Sequence, residues 1–537
     1  MKIGRNERCH CDSGKKYKHC HGNLTIQKLP SKFEEGSRKA QVQYELLQKQ
    51  RIKQQGLGKP INSVEVNGVR TVFVGNNFYS SPKWKTFHDF LIGYLPNTLG
   101  IEWANNELKK TDSDIHPIIE AYRKLCEYQT KVIKEPGEVV SVPPNGAVEL
   151  YMCLSYNLYI IAHNSSIDER LIKRLKNKKQ FLGAYYETYV AANFIKAGFT
   201  LEFEDESDRD LSHCEFVATH IATGKHYCVE AKMRERLSIL SPQSNVKNYE
   251  LDIGIKRLLF NALKKNAQHE RIVFIDMNLP AYEAARYVQD DFSKFIENAE
   301  LEYAQHNEIN TPAYVFLTNY CYHYHIDTFD FGVVVTADGF NISDFGSKKF
   351  TLEQGIASQE KHASIINLFR SFEEQTWIPS TFDGSIPEYA LNGVSKLYSI
   401  GDTLNFVDNE GKSITGEIID VVPSNNDSSI VYCLRTSDLA THLVRIELSE
   451  AQKRAYRNHP DTIFGVYKPK NRILKTQLDA YNFFMKSVLK TPKNEILECL
   501  KTHPNYQSLI SLPQPELAKI HCRNMVENAV SSGAMKF

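Results

Sequence analysis

The hydrophobic pattern between residues 181 and 278 switches repeatedly between helical and strand spacing, and this constrains the fold of the chain more than any other feature. Six elements follow in the order helix, strand, strand, strand, helix, strand: 181–198, 199–205, 213–221, 226–234, 249–268 and 271–278. The short "ATGK" stretch at 222–225 predicts a hairpin between the second and third strands. The αβββαβ order therefore predicts a mixed α+β domain.

The remainder of the 537-residue chain divides into regions of different composition, and at about 150 residues per domain the length indicates three or four domains. The fold class we predict is α+β and multidomain. The predicted regions are a compact Cys/His segment (1–22), a basic helical spacer (23–60), a mainly helical domain (61–178), the αβββαβ domain with two further strands (179–345), a small antiparallel β-barrel (395–447) and a helical region (448–537).

The net charge and the hydropathy give the chain as a whole no general affinity for nucleic acid or for a membrane. The formal net charge is +1, so affinity for nucleic acid has to come from local patches. No apolar run approaches the roughly 20 residues of a membrane helix, so no membrane partner is expected. The first residues lack the apolar stretch of a secretory signal, and we expect a cytoplasmic protein with reduced cysteines.

A cluster of metal-ligating side chains occupies the N-terminal segment. Its best-spaced members are Cys9, Cys11, Cys20 and His21. Three thiolates and one imidazole complete a tetrahedral shell for Zn²⁺, which leaves no position for a reacting water and indicates a structural zinc. His10 and His19 are alternative ligands. Such a short segment cannot bury a core, so zinc binding and folding would be one event.

Residues 5–22 resemble the SEC-C motif, the zinc module at the C-terminus of the bacterial preprotein translocase motor ATPase. The matching positions are Arg5, Asn6, Cys9, Cys11, Ser13, Gly14, Lys15, Lys16, Tyr17, Cys20, His21 and Gly22. Arg8 and His10 stand where prolines are usual, and Asp12 where glycine is usual. The resemblance implies a docking module for a protein partner, and its surplus of lysine and arginine leaves a contact with nucleic acid open.

Glu230 and Lys232 lie two residues apart in the strand "HYCVEAKMR", so both side chains should leave the same face of the sheet. If Thr223 and Gly224 form a two-residue turn, paired positions sum to 447 and Glu215 lies opposite Lys232. Phe216, Val229 and Ala231 would then form the core face. A cross-strand ion pair between Glu215 and Lys232 is the structural alternative.

Glu187 adds a third carboxylate. It lies on the helical stripe of Ala184, Val190, Ala191 and Phe194, which should pack on the sheet and bring Glu187 towards the hairpin. Carboxylates with a neighbouring lysine suit phosphodiester hydrolysis assisted by Mg²⁺ or Mn²⁺, because these ions bind oxygen ligands and keep positions for water and phosphate. Lysine would stabilise the charge on the transition state.

Residues 181–278 resemble the PD-(D/E)xK nuclease core, the restriction-endonuclease-like fold. Glu230-Ala231-Lys232 matches the (D/E)xK element and Glu187 matches the acidic residue that many members carry on the first helix. The resemblance implies that Glu215 and Glu230 hold the metal. Because Glu215 stands where Asp is usual, Asp208 or Asp210 remains an alternative ligand. Lys264 and Gln268 on the following helix are weaker site candidates.

The sequence therefore predicts a metal-dependent nuclease with a zinc module and no built-in motor. DNA is the favoured substrate over RNA, and defence against foreign DNA or repair is the context that the family resemblance suggests. The alternative is a binding or adaptor protein, in which the nuclease fold is catalytically inactive and the SEC-C segment recruits a partner.

The zinc assignment has a direct test. Purified protein should carry about one zinc per chain, and Cys11→Ser should release it without unfolding the rest of the protein. Metal analysis and thermal unfolding of wild type and variant would show this. Full zinc retention in a Cys9/Cys11 double variant would contradict the assignment.

Overall fold

A six-stranded mixed sheet lies at the centre of the molecule. The structure is a computed structural model and describes residues 6, 7, 16, 31–135, 137–203, 214–235, 248–306, 311–329, 332–346, 350–374, 377–407, 411–424, 428–467 and 474–537. The described strands are Asn62–Val66 (β1), Val69–Val74 (β2), Asn77–Ser81 (β3), Phe199–Phe203 (β4), Phe216–His220 (β5), His226–Met233 (β6), Glu270–Asp276 (β7), Ala313–Asn319 (β8), Val334–Phe340 (β9), Thr403–Val407 (β10), Ser413–Pro423 (β11), Ser429–Arg435 (β12) and Thr441–Glu447 (β13).

Helices surround and connect these strands, so the fold is mixed α+β with several sheets. The described helices are Ser31–Gln55 (α1), Phe87–Leu99 (α2), Ile101–Glu107 (α3), Pro117–Val132 (α4), Gly146–Asn164 (α5), Glu169–Leu175 (α6), Phe181–Lys196 (α7), Asn248–Leu263 (α8), Ala281–His306 (α9), Leu352–Lys361 (α10), Ala363–Glu374 (α11), Pro387–Ala390 (α12), Glu450–Asn458 (α13), Gln477–Val488 (α14), Lys493–Cys499 (α15), Tyr506–Leu509 (α16) and Gln514–Ser531 (α17).

The central sheet has its strands in the order β4-β5-β6-β7-β8-β9. The pairs β4–β5 and β5–β6 are antiparallel, β6–β7 and β7–β8 are parallel, and β9 closes the sheet antiparallel to β8. Parallel neighbours require crossovers, and α8 and α9 fill the two connections. The elements α7-β4-β5-β6-α8-β7 have the predicted αβββαβ order.

Helices cover both faces of the central sheet. On one face α7 packs against Phe216, Val229 and Ala231, all buried. On the other face α8 and α9 enclose a second core that includes Val273 and Ile275. The first core continues into α2, α4 and α5, so the helical region 61–178 and the central sheet share one hydrophobic interior. Residues 145–164 are apolar almost all round, which predicts a buried helix, and 15 of the 19 residues of α5 are buried.

The β5–β6 hairpin differs from the predicted register. Phe216 pairs with Val229 and Thr219 with His226, so paired positions sum to 445 rather than 447. His220 N donates to Lys225 O at 2.9 Å, which leaves a loop of four residues instead of a two-residue turn. The predicted turn of two residues and the observed loop of four residues both contain an even number of residues, so every side chain keeps its predicted face. Glu215, however, is no longer directly opposite Lys232.

The pattern of residues 64–79 predicts a hairpin with Asn67-Gly68 as its turn, and the hairpin forms there with φ of 51° and 77° at these two residues. Both residues adopt the left-handed region that a type I′ turn requires. A further strand, β3, pairs with β2, so the region is a three-stranded sheet rather than a single hairpin.

The predicted spacer helix α1 is anchored at its C-terminal end. Gln50 and Gln55 are buried, and Lys53 Nζ lies 2.8 Å from a carboxylate oxygen of Asp461. Leu57 N donates to Lys196 O at 2.8 Å just after the helix ends. This end of the helix therefore docks on the body of the protein, because it carries apolar and amide groups that pack. Its polar composition had predicted a spacer.

The C-terminal sheet forms half of the predicted barrel. β10–β13 pair as an antiparallel meander, and within the described residues β10 does not pair with β13. A register shift between Ile418 and Asp420 bends β11, and the apolar face is covered by the helix that carries Ala455 instead of by a closing strand pair. The rest of this region is helical, as predicted. In the described part of the chain, none of the helices has the length and apolar character needed to cross a membrane.

A substitution at Gly146 tests the contact between α5 and the turn after β8. A Cβ atom built at Gly146 would lie 2.2 Å from His325 O, a backbone atom that also accepts from Gly146 N at 3.0 Å. Gly146→Ala should lower the midpoint of thermal unfolding, because overpacking of a core typically costs about 1–3 kcal/mol. The matched control is Gly93→Ala, where nothing lies within 4 Å, and this change should maintain or raise the midpoint. Equal melting of the two variants would contradict the packing described.

Candidate active site

Glu230 and Lys232 lie near the carboxyl end of β6, on the face of the sheet covered by α8 and α9. In the parallel register Glu230 pairs with Val273 and Lys232 with Ile275, two buried residues of the core on that face. Strand periodicity thus places a carboxylate and an ammonium group at the margin of an apolar interior. Each of them is costly there without a partner.

Glu230 is the most deeply buried member of the cluster, with 4% of its surface exposed. Its two oxygens face two lysines from different elements: Lys232 Nζ is 3.0 Å from Oε2, and Lys265 Nζ is 2.7 Å from Oε1. Neither oxygen accepts a hydrogen bond of good geometry within the described residues. The carboxylate is therefore neutralised by ion pairs while its lone pairs are incompletely used.

Lys232 also forms an ion pair with Glu215, the residue just before β5. One ammonium group thus bridges two carboxylates, Glu215 and Glu230. Burial by itself lowers the pKa of Lys232, but these two carboxylates raise the pKa above its ordinary value. The lysine is consequently held in its charged form. Glu215 and Lys232, predicted as cross-strand neighbours, do contact each other, although by a diagonal reach across the corrected register.

Glu187 lies on α7, the helix on the opposite face of the sheet. Arg174, in the last turn of α6, clamps it with two hydrogen bonds: Nη1 to Oε2 at 2.8 Å and Nη2 to Oε1 at 2.6 Å. Burial and the charge of Glu215 raise the pKa of Glu187 to about 7, even though Arg174 and Lys232 oppose the shift. Glu187 is thus electrostatically coupled to the cluster at the sheet's end.

Among the six charged side chains of the cluster, the three carboxylates are less exposed than the three cations. Those of Glu187, Glu215 and Glu230 are 13%, 11% and 5% exposed, while those of Arg174, Lys232 and Lys265 are 35%, 30% and 25% exposed. Burial also raises the pKa of Glu230, against the opposing effect of the two lysines. An anion that approaches from solvent would meet the cations first, with the carboxylates beneath them.

Two of these cations, Arg174 and Lys265, were not predicted. The sequence pattern predicted that α8 extends to Gln268, but the helix ends at Leu263. The side chains after Leu263 therefore no longer follow the helical spacing. Lys265 then reaches Glu230, while the candidates Lys264 and Gln268 are exposed. Arg174 belongs to a short basic helix with no pattern that points to Glu187. The alternative ligands Asp208 and Asp210 lie outside the described residues.

Asp276, at the carboxyl end of β7, is a fully buried carboxylate that pairs in register with Met233 of β6. It accepts hydrogen bonds from Asn278 N at 2.9 Å, Thr318 Oγ1 at 3.0 Å and Tyr320 N at 2.7 Å. Burial raises its pKa to about 7 in spite of these donors. Its oxygens are occupied in holding the strand ends together, which is a structural role.

The donor set of the cluster suits a divalent cation. Glu215 and Glu230 supply an oxygen-only donor set, and Glu230 has incompletely satisfied oxygens, both of which suit Mg²⁺ or Mn²⁺. In the described part of the chain no group of three or more His, Cys, Asp and Glu side chains is arranged to hold a metal ion. The residues therefore fit an ion held by one or two carboxylates, with its other positions left to water or substrate.

The zinc ligands Cys9, Cys11, Cys20 and His21 lie outside the described residues. The SEC-C motif family matches the chain at residues 5–23. The protein translocase subunit SecA of Verminephrobacter eiseniae (strain EF01-2) is 75% identical over 24 residues, which are 4% of this chain and 3% of that protein. No solved structure matches the chain. The SEC-C family model thus matches only the N-terminal segment of the chain.

Glu187 makes a testable contribution to the pH dependence of stability. Because its pKa in the folded protein, about 7, exceeds the ordinary value of 4.5, the folded state binds more protons than the unfolded chain between these values. The contribution of Glu187 to the free energy of unfolding should therefore fall as pH rises from about 4.5 to about 7, by on the order of 1–3 kcal/mol.

Glu187→Gln should remove this slope and leave the protein as stable as wild type, or more stable, at pH 8. Urea unfolding at pH 5, 6, 7 and 8 measures the difference. Glu202→Gln, an exposed position on β4, is the control and should follow the wild-type curve. If the free energies of unfolding of wild type and Glu187→Gln change in parallel between pH 5 and pH 8, the described environment of Glu187 is wrong.

Proposed function

We propose that the chain is a metal-dependent nuclease that hydrolyses phosphodiester bonds of nucleic acid, with DNA favoured, and that the cluster around Glu230 is its active site. The observation that carries the proposal is the convergence of three carboxylates, whose side chains are at most 13% exposed, with three more exposed cations at one end of the sheet. The αβββαβ element order around them is consistent with a restriction-endonuclease-like core.

In this proposal Glu215 and Glu230 hold a Mg²⁺ or Mn²⁺ ion, which would supply an acidified water and neutralise charge on the phosphate. Lys232, kept charged by its two carboxylate neighbours, stabilises the negative charge that develops on the phosphorus oxygens. Lys265 and Arg174 present positive charge at the more exposed side, where a phosphate group enters.

Glu187 has a supporting role in the same proposal. Arg174 fixes its carboxylate in one geometry, and the neighbouring negative charge of Glu215 favours its protonated form. A carboxyl group whose pKa lies near neutral pH can accept or donate a proton under working conditions. We assign Glu187 to proton transfer or to orientation of the attacking water, beside the ion rather than as its ligand.

For the N-terminal segment we propose a structural zinc bound by Cys9, Cys11, Cys20 and His21. The match to the SEC-C motif supports this proposal. The segment would act as a docking module for a protein partner.

A binding or adaptor protein without turnover is the second candidate, and one observation favours it. Within the cluster the three carboxylates and three cations neutralise one another pairwise, as a purely structural network would. In that case the network only fixes the end of the sheet. Removing one partner from the buried pair would then destabilise the protein by about 3–5 kcal/mol and nothing else would change.

Cleavage assays with isosteric variants decide between the two candidates. With Mg²⁺ or Mn²⁺, wild type should cut plasmid DNA, and EDTA should abolish cutting. Lys232→Gln should lower the cleavage rate by about 10²–10³-fold, as when an electrostatic stabiliser is lost, while metal binding persists. Glu230→Gln should weaken both cleavage and metal binding. Calorimetric titration measures the metal binding.

Lys225→Gln is the matched control, because Lys225 is also ion-paired, to Glu270, but lies at the far end of β6. This variant should cut at the wild-type rate. Parallel reactions on single-stranded DNA and RNA identify the substrate. Absence of metal-dependent cleavage on all of these substrates, or wild-type cleavage by Lys232→Gln, would contradict the nuclease proposal and favour the adaptor.

A further inference from the structure

A separate cavity of about 600 Å³ lies beside the tip of the β1–β2 hairpin. Its wall is assembled from three stretches that are distant in sequence: the sheet and following turn (65–85), a loop at 137–139, and residues 390–392 just after α12. Pockets for small ligands commonly measure about 300–1,000 Å³. None of the residues around Glu230 contributes to this cavity.

Arg70 is a half-buried cation at the wall of the cavity, with 25% of its side chain exposed. It lies on the inner face of the β1–β3 sheet, where Val72 and Val74 enter the core. Its guanidinium carbon lies 4.7 Å from the centre of the Phe382 ring, and it forms an ion pair with Glu65 on the neighbouring strand. These contacts fix the plane of the guanidinium group at the wall of the cavity.

One donor of Arg70 is unused. Its Nε is buried and has no hydrogen-bond partner within the described residues. A buried donor left without an acceptor costs about 1–3 kcal/mol, so such a group calls for an acceptor from outside the protein. Arginine presents its donors in a planar fork that matches phosphate oxygens.

Lys85 and Trp84 add a second charge and an aromatic surface. Lys85 Nζ donates to Gly137 O at 2.5 Å, which ties the ammonium group to the loop on the other side of the cavity. Trp84 is half-buried and meets Phe90 edge to face, with ring centres 5.2 Å apart. The amide of Asn392, on the third stretch, offers both a donor and an acceptor.

We propose that this cavity binds a free mononucleotide. The phosphate would contact Arg70 and Lys85, the base would stack on Trp84, and the amide of Asn392 would meet the polar edge of the base. Two cations, an aromatic ring and an amide are the groups that recognise the phosphate, the π-face and the edge of a nucleotide. The proposal does not depend on nuclease activity, since it uses other residues in another part of the fold.

Calorimetric titration of the full chain with AMP tests the proposal. AMP should bind at one site per chain, whereas adenosine and inorganic phosphate should each bind at least about 10-fold more weakly, because each lacks half of the contacts. Arg70→Gln, Lys85→Met and Trp84→Leu should each weaken AMP binding, with about 10-fold expected for the loss of base stacking.

The matched control is Arg123→Gln, since Arg123 is a comparably exposed arginine, paired with Asp112, that does not line the cavity. It should bind AMP like wild type. Lys85→Met keeps the test valid if Arg70→Gln is unstable, because Lys85 is an exposed residue. No binding of AMP at millimolar concentration, unchanged binding by Lys85→Met, or binding of oligo(dA) without binding of AMP would overturn the proposal.

Discussion

The ion pairs of the buried Glu230 carboxylate are the interaction on which the candidate site depends. Taking a carboxylate out of water costs several kcal/mol unless opposite charge and hydrogen bonds replace the solvent. Here the opposite charge comes from Lys232 on the same strand and from Lys265 just after α8, at 3.0 and 2.7 Å. The pairs therefore tie β6 to the end of α8.

The cluster carries more charge than the connection of β6 to α8 requires. One buried carboxylate with two lysines would already join the strand to the helix. Glu215 and Glu187 add negative charge nearby, and the charge of Glu215 is one of the causes that raise the pKa of Glu187 to about 7. Like charges close together destabilise a fold, and such costs are concentrated where proteins bind ions or perform catalysis. This repulsion is the physical reason to prefer the active-site interpretation.

The sequence predicted those parts of the fold and the site that depend on periodicity. Glu230 and Lys232 share a face because side chains in a strand alternate, and the even number of loop residues preserved that face although the pairing shifted by two positions. The buried helix α5 and the Asn67-Gly68 turn follow from equally local signals.

The parts that were not predicted depend on where elements end and which distant groups meet. Lys265 reaches Glu230 because α8 ends at Leu263, and the sequence between there and Gln268 contains no glycine or proline that signals the end. The clamp of Arg174 on Glu187 joins two helices through their packing angle, which no spacing in the sequence encodes. The cavity at Arg70 needs three separate stretches to meet.

Anomalous diffraction from crystals grown with Mn²⁺ would show whether Glu215 and Glu230 form the ligand set of a divalent cation, as we propose. We expect an anomalous peak within ligand distance, about 2.0–2.6 Å, of carboxylate oxygens of Glu215 or Glu230. In such crystals Lys265 should have moved away from Glu230. Saturating Mn²⁺ with no peak at these carboxylates, and with both lysines still paired to Glu230 as in the structure described, would contradict the proposed ligand set.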